Sequence, residues 1–91
     1  MKISYDPAKR DVTLAERGLN FADAAQVLQS ESVTLTDDRS DYGEQRYVTF
    51  GWLDALAVAV VWTWRDDGRQ IISMRRMHEE EIEDVGLARP R

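Results

Sequence analysis

The sequence predicts a small α+β domain in the order β-α-α-β-β-β-β-α, an antiparallel sheet with its helices collected largely on one side. Three observations predict it. Up to Ser30 the apolar residues recur with a helical period and sit behind helix caps. Beyond Ser32 the period drops to two, and β-branched and aromatic residues take over. Within that second half Asp66-Asp67-Gly68 carries the Asp-Gly pair of a compact hairpin.

Each element follows from its residues. Ile3 and Tyr5 begin a short strand, and Asp6-Pro7 then offers an N-cap acceptor followed by a proline at the first helical position, where a missing N–H costs nothing. Ala8, Val12 and Ala15 give that helix an apolar stripe, and Gly18 ends it. Asn20 caps a second helix whose apolar face is Phe21, Ala24, Ala25, Val27 and Leu28, running to Gln29 or Ser30. Strands are expected at 33–37, 46–53, 56–65 and 69–75. The segment from Asp37 to Gly43 is polar and too long for a tight hairpin, so it reads as a loop, while Leu53-Asp54-Ala55 is a short reversal. Leu56 to Trp64 is nearly all apolar, the pattern of a central strand buried on both faces. A final helix from His78 to Val85 places glutamates in its first turn, where the helix dipole favours negative charge. The tail from Gly86 to Arg91 is expected to fray.

At 91 residues the chain buries roughly 60–65% of its unfolded surface, which supports one domain over 1–91 and not two cores. There is no cysteine, and a lone histidine, His78, cannot complete a zinc ligand set, although the carboxylates leave an oxygen-only magnesium site open. No cofactor is expected. No charged leader precedes an apolar run and no apolar segment approaches the ~18 residues of a membrane span, so a soluble cytoplasmic protein is expected. The net charge of −5, from 12 Lys+Arg against 17 Asp+Glu, argues against direct DNA binding by this chain alone. The acids are unevenly placed: five of them lie between Glu79 and Asp84, and the stretch from Arg46 to Arg76 has five arginines against three aspartates.

The chemistry-bearing positions lie mostly on the strands. Ile71-Ile72-Ser73-Met74-Arg75-Arg76 is a buried-looking strand ending in two guanidiniums, a planar fork suited to bidentate phosphate or carboxylate. The alternative is that these arginines neutralise the acidic run that follows. Regular alternation puts Ile71, Ser73 and Arg75 on one face and Ile72, Met74 and Arg76 on the other, so one arginine binds and one supports. Glu44 and Arg46 emerge side by side at i, i+2, a carboxylate able to take a proton beside a cation able to stabilise a phosphorane, or else a surface ion pair. Arg46, Val48 and Phe50 share a face. Trp62 and Trp64 are either a stacking platform or core, and Trp52, nearer a strand end, is the more exposed. Lys9 can reach a phosphate or stand in solvent, and His78 can act as acid or base or simply open the last helix.

Four segments in order resemble the BrnT toxins: Asp6-Pro7-Ala8-Lys9; Gly18 with Phe21; Gly43-Glu44-Gln45-Arg46-Tyr47 before a strand reaching Gly51; and Ile71 to Arg76 followed by Glu81. The resemblance implies a RelE-like fold and a ribonuclease toxin of a bacterial type II toxin-antitoxin system that inhibits translation. It implies RNA as substrate and a BrnA-like ribbon-helix-helix antitoxin as partner, with operator DNA reached only through that antitoxin and no membrane involved. It implies metal-independent cleavage with Glu44 as base, Arg46 and Arg75 stabilising the phosphate and transition state, and Lys9 contacting phosphate. Arg76, Arg17, Ser73, Tyr47, Trp52 and His78 are the expected substrate contacts. The chain departs from the family tendency at Thr13, Arg17, Gln70 and Asp84-Val85. These departures support an alternative, a weakly active or non-catalytic antitoxin-binding module that acts as corepressor of its operon.

Overall fold

The computed structural model describes residues 1–90. Its five strands are β1 (Ile3–Tyr5), β2 (Val33–Thr36), β3 (Tyr47–Leu53), β4 (Leu56–Arg65) and β5 (Gly68–Arg76), in the spatial order β1-β5-β4-β3-β2. The helices are α1 (Pro7–Arg17), α2 (Ala24–Gln29), preceded by a 3₁₀ turn at Phe21–Asp23, and α3 (Glu79–Asp84). Among the described residues no helix is long and apolar enough to cross a membrane.

Local signals place the elements closely. Asp6 accepts from the Ala8 amide at 2.9 Å and Pro7 opens α1. Gly18, at φ +70°, closes α1 with its amide on the Leu14 carbonyl. Asn20 caps the 3₁₀ turn in the same way, through the Ala22 amide. The two-residue turn between β4 and β5 is Asp66-Asp67, and the positive φ falls on Asp66 rather than on the glycine. Gly68 is needed for a different reason: a Cβ there would lie 2.8 Å from the Lys2 carbonyl oxygen, where β1 closes on β5.

The sheet is mostly antiparallel, but the expectation of a wholly antiparallel one needs correcting. β1 runs parallel to β5, pairing Ile3 with Arg69 and Tyr5 with Ile71. The intervening helices and strands are a connection long enough to return the chain in the same direction, which a hairpin could not do. The helices lie largely on one side, as expected, with α3 the exception. On one face Leu19, Phe21, Ala24 and Val27 pack on Val58, Val60, Trp62, Ile71 and Met74. On the other, Ile82 and Leu87 cover Phe50, Trp52, Ala57 and Ala59, so α3 is the lid of a second, smaller cluster.

That second cluster overturns two further expectations. Trp52 is buried, and its Nε1 donates to the Ala88 carbonyl at 2.8 Å. The tail is therefore held as far as Leu87 and Ala88, where buried apolar area and an indole hydrogen bond oppose fraying. Arg91 lies outside the described residues. The stripe on α1 is a third correction: none of its side chains is buried, and Val12 is 54% exposed. The guanidiniums of Arg10, over the Tyr5 ring, and Arg17, on the Met74 carbonyl, make the contacts to the sheet instead.

Strand β5 is not regular. Val61 pairs with Ser73 but the next residue, Trp62, pairs with Ile71, which leaves Ile72 as the extra residue of a bulge. Ile71 and Met74 consequently share the helix-covered face, and the grouping of Ile71 with Ser73 and Arg75 fails. Arg75 and Arg76 still diverge, because both lie beyond the bulge. The register thus delivers Ser73 and Arg75 together to the face opposite α2.

Candidate functional site

On that face lies a groove of ≈ 400 Å³. Its floor is Val48, Phe50 and Val61, and Ser73 and Arg75 form the β5 side. Leu35, Thr36, Asp37 and Arg39 form the opposite side, at the end of β2. Arg17 enters from the last turn of α1. Past Ile71 strand β5 has no partner in β1, and there Arg17 Nη1 donates to the Met74 carbonyl at 2.7 Å, which anchors the side chain beside the groove. Three guanidiniums from three separate elements therefore meet around an apolar floor.

Arg75 is held by a carboxylate fork. Its Nη1 and Nη2 donate to the two Glu81 oxygens at 2.8 and 2.6 Å, and Glu81 also accepts weakly from the His78 amide at 3.4 Å, across the start of α3. These hydrogen bonds hold the Glu81 carboxyl below its ordinary value, with the nearby His78 adding to the effect, and raise that of Arg75. The positive charge of Arg39 acts against Arg75 from across the groove.

Arg39 has a fork of its own. Its Nε and Nη2 donate to the Asp37 oxygens at 2.7 and 2.8 Å, which lowers the Asp37 carboxyl and raises the guanidinium. The Asp37 side chain is only 3% exposed, and its backbone amide is tied to the Arg46 carbonyl at 2.8 Å. Sequence reasoning missed this pair, because Asp37 and Arg39 look like solvated members of a polar loop. The available signal was an Asp and an Arg at i, i+2 immediately after a strand.

The chain matches the family model described as ribonuclease toxin, BrnT, of type II toxin-antitoxin system, over residues 5–81. It belongs to the BrnT family. No curated protein matches it. The matched span runs from β1 to Glu81 and so contains every residue of the groove and both carboxylate forks. A BrnT protein is a toxin of the ribonuclease class, and a type II toxin has an antitoxin as partner.

The positions expected from the sequence are distributed unevenly over this BrnT fold. Arg17, Ser73 and Arg75 line the groove, and His78 stands exposed at the start of α3 beside Glu81. Glu44 does not line it: its carboxylate takes Arg46 at 3.2 Å and Arg65 at 3.6 Å, and the Arg46 guanidinium lies 3.9 Å from the Tyr42 ring centroid. Alternation still places Arg46 on the groove face, one step beyond Val48. Lys9 sits on α1 in a shallow depression with Ala8, Val12 and Thr13. Arg76 points to the helix-covered side, its Nη2 near Gly18. Tyr47 stacks on the buried Trp62 with ring centroids 4.7 Å apart, also on the helix-covered side. Trp64 is 54% exposed and shares the Arg69 guanidinium with Trp62.

The groove is the one of these hollows lined by more than one cation. The depression between α2 and the β3–β4 turn is lined by Gln26, Gln29, Ser30, Trp52 and Asp54 and has no cation. Among the described residues, no three His, Cys, Asp or Glu side chains are grouped to hold a metal ion. The groove lining brings three guanidiniums together with one carboxylate, that of Asp37.

Proposed function

We propose that this BrnT protein is a metal-independent endoribonuclease that inhibits translation in the bacterial cytoplasm, and that the groove seats the scissile phosphate. One observation carries the reading: Arg17, Arg39 and Arg75 converge around Ser73, and two of the three are oriented by bidentate carboxylates. Preorganised cations stabilise charge as it develops and cost no reorganisation during the reaction.

In this mechanism the RNA 2′-hydroxyl attacks the adjacent phosphorus. Its proton passes to Glu81, the charge on the equatorial oxygens is met by Arg17 and Arg75, and the departing 5′-oxygen takes a proton from His78. The products are a 2′,3′-cyclic phosphate and a free 5′-hydroxyl. Glu81 replaces Glu44 as the proposed base because it is bonded to Arg75 at the edge of the groove, whereas Glu44 lies beyond the groove with Arg46 and Arg65. Glu44, Arg46 and Lys9 are assigned to RNA on either side of the scissile phosphate. The antitoxin is proposed to be a BrnA-like ribbon-helix-helix protein that carries the complex to operator DNA. The net charge of −5 supports leaving DNA contact to that partner.

The test is cleavage of RNA by the purified chain in the presence of a chelator. Wild type cuts, and Arg75→Ala loses about 3–4 kcal/mol of transition-state stabilisation, a loss of roughly 10²–10³-fold in rate. An Arg75→Ala protein that cuts as fast as wild type refutes the mechanism. A second reading, the non-catalytic antitoxin-binding corepressor, is favoured by the engagement of both Arg75 terminal nitrogens with Glu81. It predicts no cleavage by wild type and no growth arrest on induction.

A further inference from the structure

We infer that Arg39, aimed by the buried carboxylate of Asp37, is a second phosphate anchor for RNA, across the groove from Arg75. The loop that begins at Asp37 then belongs to the substrate site and is more than a connection between β2 and β3. The inference rests on the groove being the RNA site and adds a residue pair that the sequence did not single out.

Stability alone does not explain the geometry of the pair. The Asp37 side chain is 3% exposed, so its carboxylate has lost nearly all its water, while its partner Arg39 remains 71% exposed. Desolvation opposes the buried carboxylate, and the hydrogen bonds from Arg39 outweigh it, so the pair also contributes to stability. What the arrangement achieves is direction. A flexible arginine is fixed by a planar two-point contact at 2.7 and 2.8 Å, and the backbone reinforces it, with the Asp37 amide on Arg46 and the Arg39 amide on Asp37 Oδ1 at 3.4 Å. The fork uses Nε and Nη2, which leaves the Nη1 hydrogens for an incoming acceptor.

The second argument is the facing charge. Arg39 and Arg75 line the same groove, and the positive charge of Arg39 acts against that of Arg75. Two like charges held toward a common space gain when an anion enters between them. A single strand crossing from the β5 side to the β2 side offers successive phosphates, one to each guanidinium. Glu81 and Asp37 play the same part on the two sides, each holding one fork in place.

The experiment is binding of a fully 2′-O-methylated RNA oligonucleotide, which lacks the nucleophile, to the full chain over a range of salt. If Arg39 holds a phosphate, Arg39→Ala weakens binding by roughly tenfold or more. The slope of log K against log[salt] also falls by about 0.7, the share of one phosphate on a single strand. Arg39→Lys keeps the slope and recovers part of the affinity, since a point charge remains without the fork. Asp37→Asn gives the sharpest test. It makes the chain less negative, so a purely long-range effect tightens RNA binding, whereas loss of aim weakens it several-fold. Tightening by Asp37→Asn overturns the positioning role. An unchanged slope in Arg39→Ala, with a reduced one in Arg75→Ala, overturns this inference and leaves the groove standing. Unchanged slopes in both overturn the groove as the RNA site. Arg39 is exposed, so Arg39→Ala remains informative even if Asp37→Asn fails to fold.

Discussion

Glu81→Gln separates the two roles that the Arg75–Glu81 pair could have. The substitution keeps shape and one acceptor but removes the charge that takes both Arg75 nitrogens at 2.8 and 2.6 Å. Hydrogen bonds to charged groups contribute about 1.5–3 kcal/mol when shielded. With Arg75 at 42% and Glu81 at 25% side-chain exposure, solvent screening brings the expected loss to about 1 kcal/mol. For a domain of this size that is a fall of roughly 4–8 °C in unfolding midpoint. A protein stable by about 5–15 kcal/mol stays folded after such a loss, so stability alone cannot remove activity. If Glu81 is the base, by contrast, kcat falls by about 10²–10⁴-fold with little change in KM. The assays are thermal unfolding followed by circular dichroism, and initial rates of RNA cleavage at neutral pH on the same preparation. A drop in midpoint accompanied by less than about a tenfold loss of kcat would refute the base assignment and reduce the pair to charge balance and aim.

Other consequences follow from particular contacts. Gly51→Ala places a Cβ 2.6 Å from Ser30 Oγ and 2.7 Å from the Val27 carbonyl, so α2 must shift on β3, and denaturant titration should show a loss of about 1–3 kcal/mol. Asp37 and Glu81 are held below their ordinary values, chiefly by hydrogen bonds from Arg39 and Arg75. Their stabilisation is complete above the unfolded carboxyl range and is lost as pH falls through the lower folded values. The unfolding midpoint should therefore be level from neutrality to about pH 5 and decline below it, less steeply in Asp37→Asn than in wild type. Trp52→Phe keeps most of the buried ring but removes the donor to Ala88, and faster amide exchange at Leu87 and Ala88 should report the loosened tail. His78→Gln should slow cleavage by roughly 10²-fold or more without changing RNA affinity, and equal rates would exclude His78 as the acid.

What was legible in the sequence is what local chemistry decides. Asp6-Pro7 and Gly18 bound α1, and alternation followed by turn residues bounds β3, β4 and β5 within a residue or two. What was not legible depends on residues far apart in the chain. The bulge at Ile72 carries no glycine or proline, and it exists because β4 and β5 cannot keep one register while burying Trp62 against Ile71 and Val60 against Met74. The parallel placement of β1 is decided at the opposite end of the chain, where Gly68 lets Lys2 approach. Trp52 looks exposed at a strand end until α3 and the tail fold over it. At the site, the strand pattern pointed to Arg75, and Arg17 and Ser73 entered only through the family resemblance; all three line the groove. Asp37 and Arg39 were not legible, since nothing local distinguishes a buried aspartate from a solvated one in a polar loop.

The opposition between an anion clamp and charge balance at the end of β5 therefore rests on a mistaken premise. An arginine carries five N–H donors, and a carboxylate fork occupies two of them. Glu81 can neutralise Arg75 in the free protein and still present it, because the same two hydrogen bonds that balance the charge remove the side-chain freedom an incoming phosphate would otherwise have to freeze. The acidic first turn of α3 is then compatible with RNA binding despite its sign. Glu81 is the one acid of that turn bonded to the groove, whereas Glu79 pairs with Arg89 on the surface. A BrnT protein with net negative charge can thus bind a polyanion if its cations are concentrated and held in one groove. Here the three guanidiniums of Arg17, Arg39 and Arg75 meet that condition, and each is fixed by a hydrogen bond to an acceptor of the protein.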